Sequence, residues 1–171
     1  MKKIIPSLFA VAAITVAAAT GAAETVKLTG VHLCCKSCVK GVEKALSKSK
    51  GVTSEIDAKA GSVTLNGAEA DLKKALAAIS RGGFSGQSEG KLKVPTAKAE
   101  TGKVKAATFV GVHLCCGKCV KGVQKALSTV EGVTGDTVKN KATSFDVTGD
   151  FEPQAVLDAL AQAGFGARVG K

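Results

Sequence analysis

The chain has 171 residues and a formal charge of +10, with six cysteines, two histidines and neither tryptophan nor tyrosine. That length allows one or two domains. The lysines are spread along the chain and no indole or phenol is there to stack on bases, so nucleic acid is excluded as the expected partner.

Residues 1–23 read as a signal peptide. Lys2 and Lys3 give a basic start, an apolar run follows from Ile4 to Ala19, and the small residues Thr20, Gly21, Ala22 and Ala23 precede Glu24. An uncleaved membrane anchor is the competing reading, and the run is short and alanine-rich for a span. The expected location is therefore periplasmic or secreted. Cleavage would remove Lys2 and Lys3 and leave a charge of +8.

The first domain is expected over residues 24–90. Val26 and Leu28 alternate with Thr25, Lys27 and Thr29, the period of a half-buried strand. After Cys38 the period changes, and Val39, Val42, Ala45 and Leu46 share one helical face. Gly51 suits a left-handed helix stop. Val52 to Asp57 and Ser62 to Asn66 read as two strands around a turn at Ala58 to Gly61. Leu72, Ala75, Leu76 and Ile79 mark a second helix ended by Gly82 and Gly83, and Phe84 begins a short last strand.

Residues 91–103 read as a linker or extended connection, rich in Lys, Ala and Thr and holding Pro95. The second domain, 104–171, repeats the first. Phe109 stands for Leu28, Val120, Val123 and Leu127 for Val39, Val42 and Leu46, and Phe165 for Phe84. Pro153 falls in the first turn of its second helix, where a missing N–H costs little. The element set makes each repeat a split βαβ sandwich able to fold alone, with the thin core of a domain of roughly 65 residues.

All the cysteines and histidines lie in one duplicated stretch. Gly30-Val31-His32-Leu33-Cys34-Cys35-Lys36-Ser37-Cys38 returns 81 positions later as Gly111-Val112-His113-Leu114-Cys115-Cys116-Gly117-Lys118-Cys119. A Cys-x-x-Cys between a strand and a helix brings two sulfurs to one ion. The helix N-terminus favours the thiolate there. Thiolate pairs select soft ions such as Cu(I) and Zn(II). Disulfide staples are the structural alternative, but three cysteines crowded into five positions close only tiny loops, where a cross-link stabilises least.

The strand–Cys-x-x-Cys–helix entry, the βαββαβ order and the closing Gly-Phe resemble the heavy-metal-associated (HMA) domain family. That family includes copper chaperones, the amino-terminal domains of copper-transporting P-type ATPases and a periplasmic mercury-binding protein. The resemblance implies an α+β fold of two ferredoxin-like βαββαβ domains in tandem after the signal peptide. It places metal ligands at Cys35, Cys38, Cys116 and Cys119, and implies that Leu33 and Leu114 pack beneath the loops. It implies a soft metal ion, copper(I) first and zinc or mercury next. The chain shows no Ser–His–Asp order, no paired carboxylates in a motif and no Gly-rich phosphate loop, so neither enzymatic activity nor a small-molecule substrate is expected. The implied partner is a metal-transporting membrane protein or another thiol protein.

This sequence departs from the family pattern by adding Cys34 and Cys115, and His32 and His113, as further candidate ligands. If Leu33 points inward, His32 and Cys34 point outward beside it. A linker of about 15 residues spans on the order of 50 Å when extended, so the two loops are able to face each other and share an ion. The main competing function is a thiol–disulfide redox protein using the same Cys-x-x-Cys pairs. No proline faces the cysteine loop as that reading would want. A non-catalytic interaction module with dimer-forming cysteines is the third.

Overall fold

A computed structural model describes residues 23–170. The signal-peptide reading falls on residues 1–23 and lies, but for Ala23, outside the described residues.

The first domain runs β1 (Glu24–Leu28), α1 (Lys36–Leu46), β2 (Val52–Asp57), β3 (Ser62–Gly67) and α2 (Glu69–Arg81). The second runs β4 (Val104–Val110), α3 (Gly117–Leu127), β5 (Val133–Asp136), β6 (Ser144–Phe151), α4 (Pro153–Gln162) and β7 (Arg168–Val169). Both sheets are antiparallel, in the orders β1-β3-β2 and β5-β6-β4-β7. These are two tandem ferredoxin-like domains of the α+β class, as the element order predicts.

The alternation in β1 sets its register. Val26 sits opposite Leu65 and Leu28 opposite Val63, and all four side chains are buried. Val42 and Leu46 of α1 and Leu72, Leu76 and Ile79 of α2 are buried on the same core. The helices cover one face of the sheet, and the opposite sides of the strands carry Thr25, Lys27 and other exposed residues. In the second domain Phe109 and Phe145 face each other across β4 and β6, with ring centroids 5.8 Å apart. Pro153 occupies the start of α4 as expected. Acidic Glu69 and Asp71 open α2 and Arg81 closes it, in accord with the helix dipole.

The closing strand differs between the repeats. In the second domain β7 pairs with β4 through Val169 and Phe109. In the first, only a single bridge joins Thr29 to Gln87, and Phe84 does not begin a strand of its own sheet. It bridges instead to Phe165 of the other repeat. Ser85 N–H donates to the Gly164 carbonyl at 3.0 Å, so the backbone after α2 is turned toward the second domain.

Residues 91–103 form no helix or strand, but they are seated on the protein. Leu92 and Val94 are buried. Ser80 Oγ of α2 donates to the Pro95 carbonyl at 2.8 Å, and Ala99 N–H donates to Gln154 Oε1 of α4 at 2.8 Å.

Candidate metal centre

Each loop rises from the end of a strand and is pinned from below. Leu33 and Leu114 are buried beneath it, as expected for residues in that place. The Val31 N–H donates to the Gly61 carbonyl at 2.9 Å, and the Lys141 N–H to the Leu114 carbonyl at 2.6 Å. Cys35 and Cys116 are the N-cap residues of α1 and α3, in extended conformation. The helices that follow therefore carry Cys38 and Cys119 in their first turns, and those two residues are fully buried.

The two loops face each other. All six sulfurs come together, and all six cysteines are free thiols. Within a repeat, Cys35 lies 3.7 Å from Cys38, and Cys116 lies 3.8 Å from Cys119. Across the repeats the contacts are as close or closer. Cys35 Sγ is 3.4 Å from Cys115 Sγ, and Cys34 Sγ is 3.5 Å from Cys116 Sγ. Cys34 lies 3.5 Å from Cys119, Cys38 lies 3.5 Å from Cys115, and the two buried sulfurs of Cys38 and Cys119 are 3.8 Å apart. The cluster has an approximate two-fold axis that exchanges Cys34 with Cys115, Cys35 with Cys116 and Cys38 with Cys119.

The histidines also cross over. His32 stacks on Phe165 of the second domain with centroids 4.4 Å apart, and His113 meets Phe84 of the first at 4.7 Å. Neither imidazole is the solvated side chain that an outward-pointing loop residue predicts. The Nε2 atoms of both are buried without a hydrogen-bond partner. A ring nitrogen of His32 lies within 4.8 Å of the Cys34 and Cys119 sulfurs. A buried nitrogen left without a partner is costly, so a sulfur-rich site that can take an ion or present a thiolate fits what surrounds it.

Crowding decides the protonation states. Cys35 stands at the rim, where the backbone N–H of Cys38 faces its sulfur without closing a full cap hydrogen bond. That N–H, opposed in part by burial, lowers the thiol to about 6. Burial pushes Cys34 well above the ordinary thiol range, and raises Cys115 to about 12. Cys38 and Cys119 titrate as a pair. Cys119 is drawn well below the ordinary thiol range, first by the Cys38 thiol, and Cys38 is pushed well above it, first by its contact with Cys119. Burial lowers the His113 imidazole, which favours its neutral form.

A thiolate at the rim should react first. With limiting iodoacetamide at pH 7, reduced apo protein is expected to be alkylated at Cys35 ahead of Cys34 and Cys115. Peptide mass mapping reads this, and earlier labelling of Cys34 would contradict the picture.

The donor set suits a thiophilic ion. Three sulfurs 3.4–3.8 Å apart leave a centre about 2.0–2.2 Å from each, close to the ~2.3 Å of a metal–thiolate bond. The structure thus brings together every candidate, Cys34, Cys35, Cys38, Cys115, Cys116 and Cys119, with His32 and His113 at the edges. Four glycines and two phenylalanines of the site were not legible as such. A Cβ on Gly41 in α1 would come within 2.8 Å of Phe84 and 3.0 Å of His113, and one on Gly122 in α3 within 3.1 Å of His32 and of Phe165. Gly83 and Gly164 sit against the opposite loop's backbone. A glycine inside each first helix, at the same place in both repeats, was the available signal, since helix interiors disfavour it by about 1 kcal/mol.

A family model described as heavy-metal-associated domain matches residues 25–85 and 110–166. Among solved structures, the solution structure of the N-terminal soluble domains of Bacillus subtilis CopA is similar over 86% of this chain and 94% of that one, at 16% identity and a TM-score of 0.33. Whole-chain superposition at that score is weak. No curated protein matches the chain.

Proposed function

Because the chain belongs to the heavy-metal-associated domain family, we propose that it is an exported metal-binding protein that captures a soft ion, copper(I) first, and passes it on through its cysteine thiolates. The observation that carries this reading is the meeting of six sulfurs from two repeats at 3.4–3.8 Å. Triangles of sulfur suit an ion content with three ligands, such as Cu(I), better than Zn(II), which prefers a fourth. Export rests on the basic, apolar and small-residue layout of residues 1–23.

Cys35 and Cys116 are half-buried while Cys38 and Cys119 are fully buried, so an incoming ion meets the rim sulfurs first. Each bound ion displaces thiol protons, and the helix N-termini at Cys35 and Cys116 help hold the resulting charge. Release runs the other way. A thiolate of the acceptor, a metal-transporting membrane protein or another thiol protein, bonds to the ion as a rim sulfur leaves.

The test is anaerobic. Reduced protein supplied with Cu(I), then dialysed, is expected to keep the metal with sulfur neighbours in X-ray absorption. A variant with Cys35, Cys38, Cys116 and Cys119 all changed to serine is expected to keep none. Equal metal in both would sink the reading. A thiol–disulfide exchange protein is the runner-up, favoured by the lowered Cys35 thiol, and catalysed disulfide reduction by the metal-free protein would support it instead.

A further inference from the structure

The leading cysteine of each triplet is the feature that the Cys-x-x-Cys pair leaves unexplained. Cys34 precedes Cys35, whose backbone is extended, with φ −160° and ψ 169°. Neighbouring side chains on extended backbone point to opposite sides. Cys34 and Cys35 each lie 3.7 Å from Cys38, and the three sulfurs fall within 4.8 Å of one another, in reach of one ion. A tighter trio, closed on all three sides at 3.8 Å or less, does not form inside one repeat.

Across the repeats it does. Cys35, Cys38 and Cys115 make a triangle with sides of 3.7, 3.4 and 3.5 Å. Cys116, Cys119 and Cys34 make its two-fold mate, with sides of 3.8, 3.5 and 3.5 Å. The two triangles share no sulfur and use all six. We propose that each Cys-x-x-Cys pair takes its third ligand from the other repeat, so that the chain holds two soft ions in two interlocked three-sulfur sites. This rests on the soft-metal reading above and adds to it which sulfur serves which ion.

Two further features fit. The loops are pressed together by contacts that have nothing to do with sulfur: His32 on Phe165, His113 on Phe84, and the backbone bridge from Phe84 to Phe165. The exchange of ligands thus costs no reorganisation when ions arrive. Two N-termini, of α1 and α3, end at the cluster and offset the thiolate charge that two neighbouring sites accumulate.

A cysteine-depleted background separates this from a within-repeat site. Cys35→Ser with Cys38→Ser removes the first pair and leaves Cys34, Cys115, Cys116 and Cys119. Cu(I) is the probe, with a colorimetric Cu(I) chelator as competitor and X-ray absorption as the second readout. Adding Cys34→Ser is expected to weaken retention about tenfold or more and to drop the sulfur coordination from three to two. Adding Cys115→Ser, whose own pair is already gone in this background, is expected to weaken retention several-fold less than Cys34→Ser and to leave three sulfurs on the ion. The mirror background, Cys116→Ser with Cys119→Ser, should reverse the roles, and circular dichroism of each variant checks that it folds. The opposite order, equal losses, or no loss from either change would overturn the proposal. So would a wild-type stoichiometry of one ion or four per chain instead of two. Failure of wild-type protein to hold any Cu(I) would instead remove the function proposed above.

Discussion

Changing Gly83 and Gly164 together to alanine is expected to part the two domains while each keeps its fold. Both residues have φ near +86°, a conformation that costs an L-residue about 1–2 kcal/mol. That strain is local and each domain can absorb it. The larger effect is steric and falls between the domains. A Cβ on Gly83 would lie 2.5 Å from the His113 nitrogen and 2.6 Å from the Gly111 carbonyl oxygen. One on Gly164 would run into the Gly30 carbonyl and lie 2.5 Å from the His32 nitrogen. These are backbone atoms of the opposite loop, and they have no rotamer through which to yield. The variant should show a larger radius of gyration by small-angle scattering. Its Cu(I) retention should fall about tenfold or more, as third sulfurs become unreachable. A variant as compact as wild type would refute the packing described here.

Phe84→Ala is expected to cost about 3–5 kcal/mol, the range for emptying a buried aromatic site. Phe84 is 1% exposed and belongs to the core of the first domain while its ring covers His113 of the second. A domain of this size commands roughly 3–10 kcal/mol in all, so the first half should be largely unfolded in mild denaturant where wild type is native. Phe84→Leu keeps most of the volume and should recover much of the loss. Urea unfolding of the reduced, metal-free protein followed by circular dichroism measures both. A loss below about 1 kcal/mol for the alanine variant would mean that the ring is not packed as described.

Much of this was readable from the chain. The alternation of Val26 and Leu28, the helical spacing of Val42 and Leu46, and the Gly82-Gly83 stop after α2 are local signals, and each landed where expected. Gly51 is not the stop of α1: that helix ends at Leu46 with Ser47 as its cap, and Gly51 takes its left-handed φ in the turn into β2. Leu33 and Leu114 went under their loops. The relation between the repeats was not readable in the same way. Two domains with the same motif on the same edge have many ways to meet, and periodicity reports only which face of an element is buried. It does not report against whom. His32 and His113 read only as candidate ligands pointing outward from their loops, because the rings they pack on, Phe165 and Phe84, sit in the other half of the sequence. Phe84 looked like the start of a strand for the same reason, since its pairing partner is Phe165, 81 positions away. Leu92 and Val94 are isolated apolar residues in a polar stretch, too few to show a period, yet both are buried.

The segment between the domains has a bearing on how an acceptor is met. It is stitched to α2 through Ser80 and to α4 through Gln154, with Leu92 and Val94 buried just ahead of both ties. Ties to one helix of each repeat hold the two cysteine loops in apposition by means other than sulfur. Under the role proposed above, the pair would therefore meet an acceptor as one body, with its rim sulfurs Cys35 and Cys116 foremost, and not as two beads on a string.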